Sequence, residues 1–157
     1  LIAARMLGLE TGGIAPKNFT TSVGNNPLIL IDGEELKLLD FGLVPRGSYS
    51  ARTYENVKNA DVTVILAYNK KSPGTLLTIK YCQELNRPYV VINPLEENAS
   101  FELLTFFSMN SFLVLNVAGN REYRGQEREA VFTTLCAKLI YFSLSRYFYA
   151  TNSLKGF

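Results

Sequence analysis

The chain has 157 residues, 47% apolar and 19% charged, and a net charge of +2. That length suits a single domain spanning residues 1–157, and so small a charge without any Lys/Arg run argues against nucleic acid as a partner. Histidine is absent, which excludes a Ser-His-Asp triad, a Cys-His pair, His-containing zinc sites and a histidine acid or base.

Leu1 to Gly8 reads as a helix stopped by its glycine. It has no basic n-region or cleavage site and so is not a signal peptide. It starts as if inside the helix, and an earlier strand and turn are expected before it. Leu9 to Ile14 reads as a short strand or extended lead-in, followed by a loop from Ala15 through Pro27. Leu28 to Ile31 is a candidate strand, with Asp32-Gly33 as the turn of a hairpin to Leu36–Leu39. The 15–47 stretch is the least regular, and long loops in compact domains are usually functional or mobile.

Ser48 to Ala60 reads as a helix with Ser48 or Ser50 as its cap. Ala51, Tyr54 and Val57 share one face; Arg52, Asn56 and Asn59 share another. Such a polar stripe is either a solvated face or a holder for an anion.

Residues 61–93 read as one βαβ unit. Val62, Val64, Ile65, Leu66 and Ala67 give the near-continuous apolar run of a strand covered on both faces. Asn69 to Gly74 is polar and turn-forming, Gly74 to Arg87 reads as a helix, and Tyr89 to Ile92 as a second buried strand. A right-handed parallel connection puts the helix start at the carboxyl end of the first strand, where open α/β sheets bind ligands. Unpaired N–H groups at Gly74, Thr75 and Leu76, the hydroxyls of Ser72 and Thr75, and the charges of Lys70 and Lys71 would suit a phosphate. The same residues also suit plain chain reversal and capping.

Cys82 and Cys136 lie in apolar, helical surroundings without zinc spacing, as reduced core residues of a cytoplasmic protein would. Ser100 to Met109 reads as a helix and Phe112 to Ala118 as a third buried strand, closed by Gly119-Asn120-Arg121. A last helix begins near Gly125 or Gln126 and is apolar from Ala130 to Ala150. Lys138 and Arg146 interrupt it, so no membrane span is expected. Its apolar arc is wider than one sheet face needs, which predicts a homo-oligomer, dimer or tetramer. Lys17, Lys70, Lys71 and Arg121 all follow extended segments with glycines nearby. If those strands are parallel, their loops form one positively charged rim suited to an anionic small molecule.

Four stretches in order carry a family resemblance: Gly12-Gly13-Ile14-Ala15-Pro16-Lys17, Ala51-Arg52-Thr53-Tyr54-Glu55-Asn56-Val57 with Asp61, Ser72-Pro73-Gly74-Thr75, and Leu115-Asn116-Val117-Ala118-Gly119-Asn120-Arg121-Glu122. Together they resemble the molybdenum-cofactor carrier-type proteins, a branch of the SLOG group of Rossmann-like proteins, over most of residues 1–146. The chain departs from that pattern at Asn18-Phe19, where the family has Gly-Arg, and at Ala15, where a cysteine is often found. The family's Gly-Gly-Gln-Thr-Gly turn before the first helix is not seen. The resemblance implies an α/β, Rossmann-like open and mostly parallel sheet with helices on both faces. It further implies a carrier that holds molybdenum cofactor (molybdopterin) or a nucleotide, with the metal on the cofactor's own dithiolene. The implied seat is Ser72, Gly74 and Thr75, surrounded by Lys17, Arg52, Asn56, Asn116, Gly119 and Arg121.

Two other readings compete. Related nucleoside-monophosphate phosphoribohydrolases carry a Pro-Gly-Gly-x-Gly-Thr-x-x-Glu motif whose glutamate serves glycosidic cleavage. Thr78 stands at that glutamate's place here, and a threonine cannot stabilise cationic character at a sugar. The third reading is a scaffold that kept the fold and lost the site.

Overall fold

The structure, a computed structural model, describes residues 1–21, 24–31, 33–120 and 126–155. In chain order it runs α1 (Ile2–Met6), β1 (Gly13–Ala15), a 3-10 turn over Lys17–Phe19, β2 (Thr20–Thr21), β3 (Gly24–Asn25), β4 (Leu28–Ile31) and β5 (Glu34–Lys37). A second 3-10 turn, β6 (Leu43–Pro45) and α2 (Tyr49–Lys58) follow. The second half is β7 (Val62–Leu66), α3 (Pro73–Glu84), β8 (Tyr89–Ile92), α4 (Ala99–Met109), β9 (Leu115–Gly119) and α5 (Gln126–Lys155).

The fold is α/β and Rossmann-like, with its parallel strands in two groups. One is a three-stranded sheet in the order β8-β7-β9, with Thr63 opposite both Tyr89 and Asn116. The other is the pair β1-β6, with Gly13 opposite Leu43. Antiparallel pairs β2-β3 and β4-β5 fill the stretch between β1 and β6. All five residues of β7 are buried, because a central parallel strand is covered on both faces as well as both edges.

Alternation along β7 sends Val64 and Leu66 to one face and Thr63 and Ile65 to the other. Val64 and Leu66 join Ile92 of β8, Ala3 of α1, Leu103 and Phe107 of α4, and Ile140 and Leu144 of α5 in the main core. Phe107, Phe112 and Tyr147 extend it as an aromatic cluster, the last two stacked at 5.2 Å between ring centroids. On the opposite face Thr63 bonds Cys82 of α3 and accepts from Asn116 Nδ2 at 3.2 Å. Helices thus cover both faces of the sheet.

Among the boundaries that differ from expectation, two strand starts have a visible cause. β5 starts at Glu34 rather than Leu36, because β4 pairs Ile31 directly with Glu34; Asp32 of the expected turn lies outside the described residues. β9 starts at Leu115 rather than Phe112, because Asp61 Oδ2 accepts from Leu113 N at 2.8 Å and Val114 N at 2.9 Å. Those two amides are thereby withdrawn from a strand ladder.

Candidate functional site

Strands β6 and β7 each run out into a short loop and straight into a helix, and both helices are capped by serine. Ser48 Oγ accepts from Ala51 N at 3.2 Å, and Ser72 Oγ from Thr75 N at 3.4 Å. Pro73 at the first helical position loses no hydrogen bond there. The two helices run parallel, side by side. Tyr49 of α2 meets Gly74 of α3, Tyr54 packs edge-on against Tyr81 at 5.3 Å, and at the far end Arg87 Nη2 donates to Lys58 O at 3.0 Å. Their positive ends therefore share one rim. Neither first turn carries an acidic residue.

Three contacts tie the rest of the rim to these helix starts. Lys17 N, just beyond β1, donates to Gly47 O at 3.2 Å, next to the cap of α2. The Tyr49 hydroxyl stands 2.9 Å from where a Cβ on Gly74 would lie. At the end of β9, Asn120 Oδ1 accepts from Asn69 N at 3.0 Å. Its Nδ2 donates to Asn69 O at 3.1 Å, Ser72 Oγ at 2.7 Å and Thr75 Oγ1 at 3.2 Å. One rim thus runs from Lys17 through Gly47, Tyr49 and Gly74 to Ser72 and Asn120.

Against that rim the residues singled out from sequence divide. Ser72, Gly74 and Thr75 sit together at the start of α3, Thr75 only 2% exposed. Arg52 lies one turn into α2 with its guanidinium 4.4 Å over the Tyr49 ring. Lys17, Lys70 and Lys71 are exposed on the rim's loops. Gly119 ends β9, and a Cβ there would come 3.0 Å from Leu66 O, so the residue suits a close strand approach. Asn56 is brought elsewhere: its amide accepts from Ile14 N at 2.8 Å and donates to Ile14 O at 2.9 Å, which turns it toward β1. Asn116 sits mid-strand on Thr63, beneath the rim. Arg121 lies outside the described residues. Sequence reasoning missed Tyr49, Asn69 and Asn120; only Asn120 belonged to a recognised motif, and nothing marked it there.

Burial pushes the Cys136 thiol up to about 11 and raises that of Cys82, whose bond to Thr63 opposes the rise, so both remain protonated at neutral pH. Among the described residues no group of three His, Cys, Asp or Glu side chains is placed to hold a metal ion. An open cavity of 580 Å³ lined by Arg5, Glu10, Thr11, Asp40 and Phe41 lies by the amino ends of β1 and β6, away from the rim.

The model of the circularly permuted YpsA family of the SLOG group matches residues 1–140. The chain belongs to the circularly permuted YpsA SLOG family. Among solved structures, this SLOG chain is similar to a Syntrophus aciditrophicus protein named "putative molybdenum carrier protein". The two are 23% identical with a TM-score of 0.65, over 89% of this chain and 83% of the other. At that identity the likeness is one of fold, and it agrees with the Rossmann-like architecture seen here. No curated protein matches the chain. No helix among the described residues is long and apolar enough to cross a membrane.

Proposed function

We propose that this SLOG protein binds and carries a phosphate-bearing small molecule at the rim, molybdenum cofactor or a nucleotide, without transforming it. The observation that carries this reading is the pair of parallel helix starts, α2 and α3, side by side with Gly74 at their junction. The Gly74 N–H and two macrodipoles converge there, while Thr75 N and Leu76 N, expected to be unpaired, are taken by Ser72 Oγ and Ser72 O; lysines flank the junction, which suits an anion that no single side chain neutralises. The donor set fits the phosphate of a molybdopterin: Gly74 N–H, the Thr75 hydroxyl, Lys17, Lys70 and Lys71 would hold it. The cofactor, when bound, would bring its own dithiolene as metal ligand, and the protonated thiols of the buried Cys82 and half-buried Cys136 are in keeping with that division of labour.

The hydrolase reading gains no support at Thr78. Its hydroxyl donates to Gly74 O at 2.9 Å within its own helix, and the residue is 4% exposed. Native mass spectrometry of protein from its own source tests the carrier reading. A co-purifying mass of molybdopterin or a nucleotide is the expected result. An empty protein that also shows no thermal shift with nucleotides would sink it. Gly74→Val places a branched Cβ against the Tyr49 hydroxyl and is expected to abolish ligand binding while costing about 1–2 kcal/mol of stability. A Gly74→Val protein that bound normally would put the seat elsewhere.

A further inference from the structure

The helices on the two faces of the three-stranded sheet meet water differently. On the Thr63 face, α3 turns Lys80, Gln83 and Glu84 outward, with Lys80 and Glu84 paired at 3.6 Å, as a solvated helix does. On the other face α4 packs along α5, and both turn apolar residues into the core, Leu103 and Phe107 from one, Ile140 and Leu144 from the other. Their outward sides stay apolar. Phe101 and Met109 of α4 and Val131, Phe142 and Tyr149 of α5 are all more than half exposed. On α5 these residues and Lys138 step at helical spacing and share one stripe. Taking about 150–250 Å² for a whole aromatic side chain, the five present roughly 600 Å² of apolar surface. That is the upper end of what one patch on a monomer shows, and most of the about 800 Å² that each partner gives to a standard interface.

Charge narrows what can cover this face. From Val131 to Asn152 the sequence has Lys138 and Arg146, both exposed, and no carboxylate. From Glu96 to Met109 it has Glu96, Glu97 and Glu102 and no cation. Two neighbouring helices of one layer thus carry opposite signs. Both run from the carboxyl toward the amino ends of the strands. Phe132 of α5 meets Tyr68 just past β7 and Tyr147 stacks on Phe112 ahead of β9, while α4 starts beyond β8 and brings Phe107 to Phe112. A two-fold axis perpendicular to the layer therefore sets the helices of a second copy antiparallel to these. With α5 directly on α5, centred at Phe142, Lys138 would face Arg146 of the second copy, cation on cation. With α5 on α4, Phe142 meets Phe101 of the second copy, and antiparallel counting carries Arg146 toward its Glu97.

We propose that the outer face of α4 and α5 is the interface of a symmetric homodimer, in which α5 of each copy lies antiparallel on α4 of the other. The pairing occurs twice about the axis, so each apolar stripe and each charge finds its complement. The face lies across the sheet from α2 and α3, so the rim of each copy stays open.

Sedimentation of the full chain across a dilution series tests this. A species of twice the mass of one chain is expected, dissociating on dilution. Phe142→Ala is expected to weaken the dimer about thirtyfold, the scale of a central aromatic anchor, with unchanged far-UV circular dichroism. Phe101→Ala should do the same from the other helix. Arg146→Glu should weaken it about fivefold, and adding Glu97→Lys should restore it. A double variant that stays weak would overturn the α5-on-α4 pairing, and a dimer indifferent to both phenylalanines would place the interface elsewhere. A chain that is monomeric throughout would overturn the proposal. If that monomer sedimented with phosphatidylserine vesicles and not with phosphatidylcholine ones, the face would belong to an anionic lipid surface instead.

Discussion

The two parallel sheets are held together by different physics. In β8-β7-β9, side chains of β7 and β8 bury against α1, α4 and α5, with Val64, Ile92, Leu103 and Phe107 fully excluded from water. In β1-β6, the strands are three residues long, Val44 is half exposed, and polar clips do much of the holding. The Asn56 amide bonds both backbone groups of Ile14 as a neighbouring strand would. Thr11 Oγ1 donates to Phe41 O at 2.8 Å, and Gly42 (φ +72°) lies so close to Thr11 O that a Cβ would come within 2.6 Å. Both sheets contribute to one rim, so the candidate site joins a rigid half to a half that is specified by single hydrogen bonds. Apolar burial sums over many contacts and spreads its loss through the core, whereas loss of a clip made by one residue stays local.

That contrast is sharpest at Phe107. Phe107→Ala removes the centre of the aromatic cluster and is expected to cost about 3–5 kcal/mol, read as a lower urea midpoint for the whole chain. Were only the amides of α4 to lose protection, the central core would not be one cooperative unit. Asn56→Ala comes next, at about 1–3 kcal/mol for two backbone groups left unpaired. Its effect is expected to be local: faster exchange at Ile14 with the β7 amides unchanged. Equal acceleration in β7 would erase the distinction between the two halves. The smallest effect belongs to Asp61, whose carboxyl is held below its ordinary 3.8 by the N–H groups of Val114 and Leu113, with Arg87 adding a weaker pull and burial opposing. A carboxyl that ionises more readily folded than unfolded contributes its full stabilisation above that ordinary value. The contribution fades as pH falls through the lower, folded value. Protection of the Leu113 and Val114 amides should therefore drop in that acid range in wild type, while Asp61→Asn shows no such step. A wild-type profile without the step would mean that the carboxylate does not set the start of β9.

The same contrast governs what could be read from sequence. The 61–93 unit was legible because a buried central strand needs an apolar run, a helix needs a cap, and Ser72-Pro73 states where it begins. Within residues 15–47 the Leu28–Ile31 strand and its hairpin were legible, but the rest was not, because strands of two or three residues carry no period and their pairing depends on backbone shape. Asn18 and Phe19 both adopt positive φ, at 57° and 52°; asparagine tolerates that region, whereas nothing about a phenylalanine announces it. Side-chain clips were the other blind spot. Asn56 and Arg52 share a polar helical stripe, and only tertiary structure tells that one turns to β1 and the other lies over Tyr49. Asp61 stood within a recognised stretch, yet its grip on residues 113–114, which shortens β9, reaches across about a third of the chain.

The bare first turns of α2 and α3 have a cost that can be stated as a trade-off. Two like poles side by side repel, and an Asp or Glu in either first turn would relieve that repulsion by about 0.3–1 kcal/mol per helix. The chain has neither, and so forgoes an easy gain in the empty state. An anion at the rim would supply the missing counter-charge to both helices at once, so part of its affinity would be stability withheld from the unliganded protein. Carboxylates engineered into those turns would make a sturdier molecule and a poorer binder.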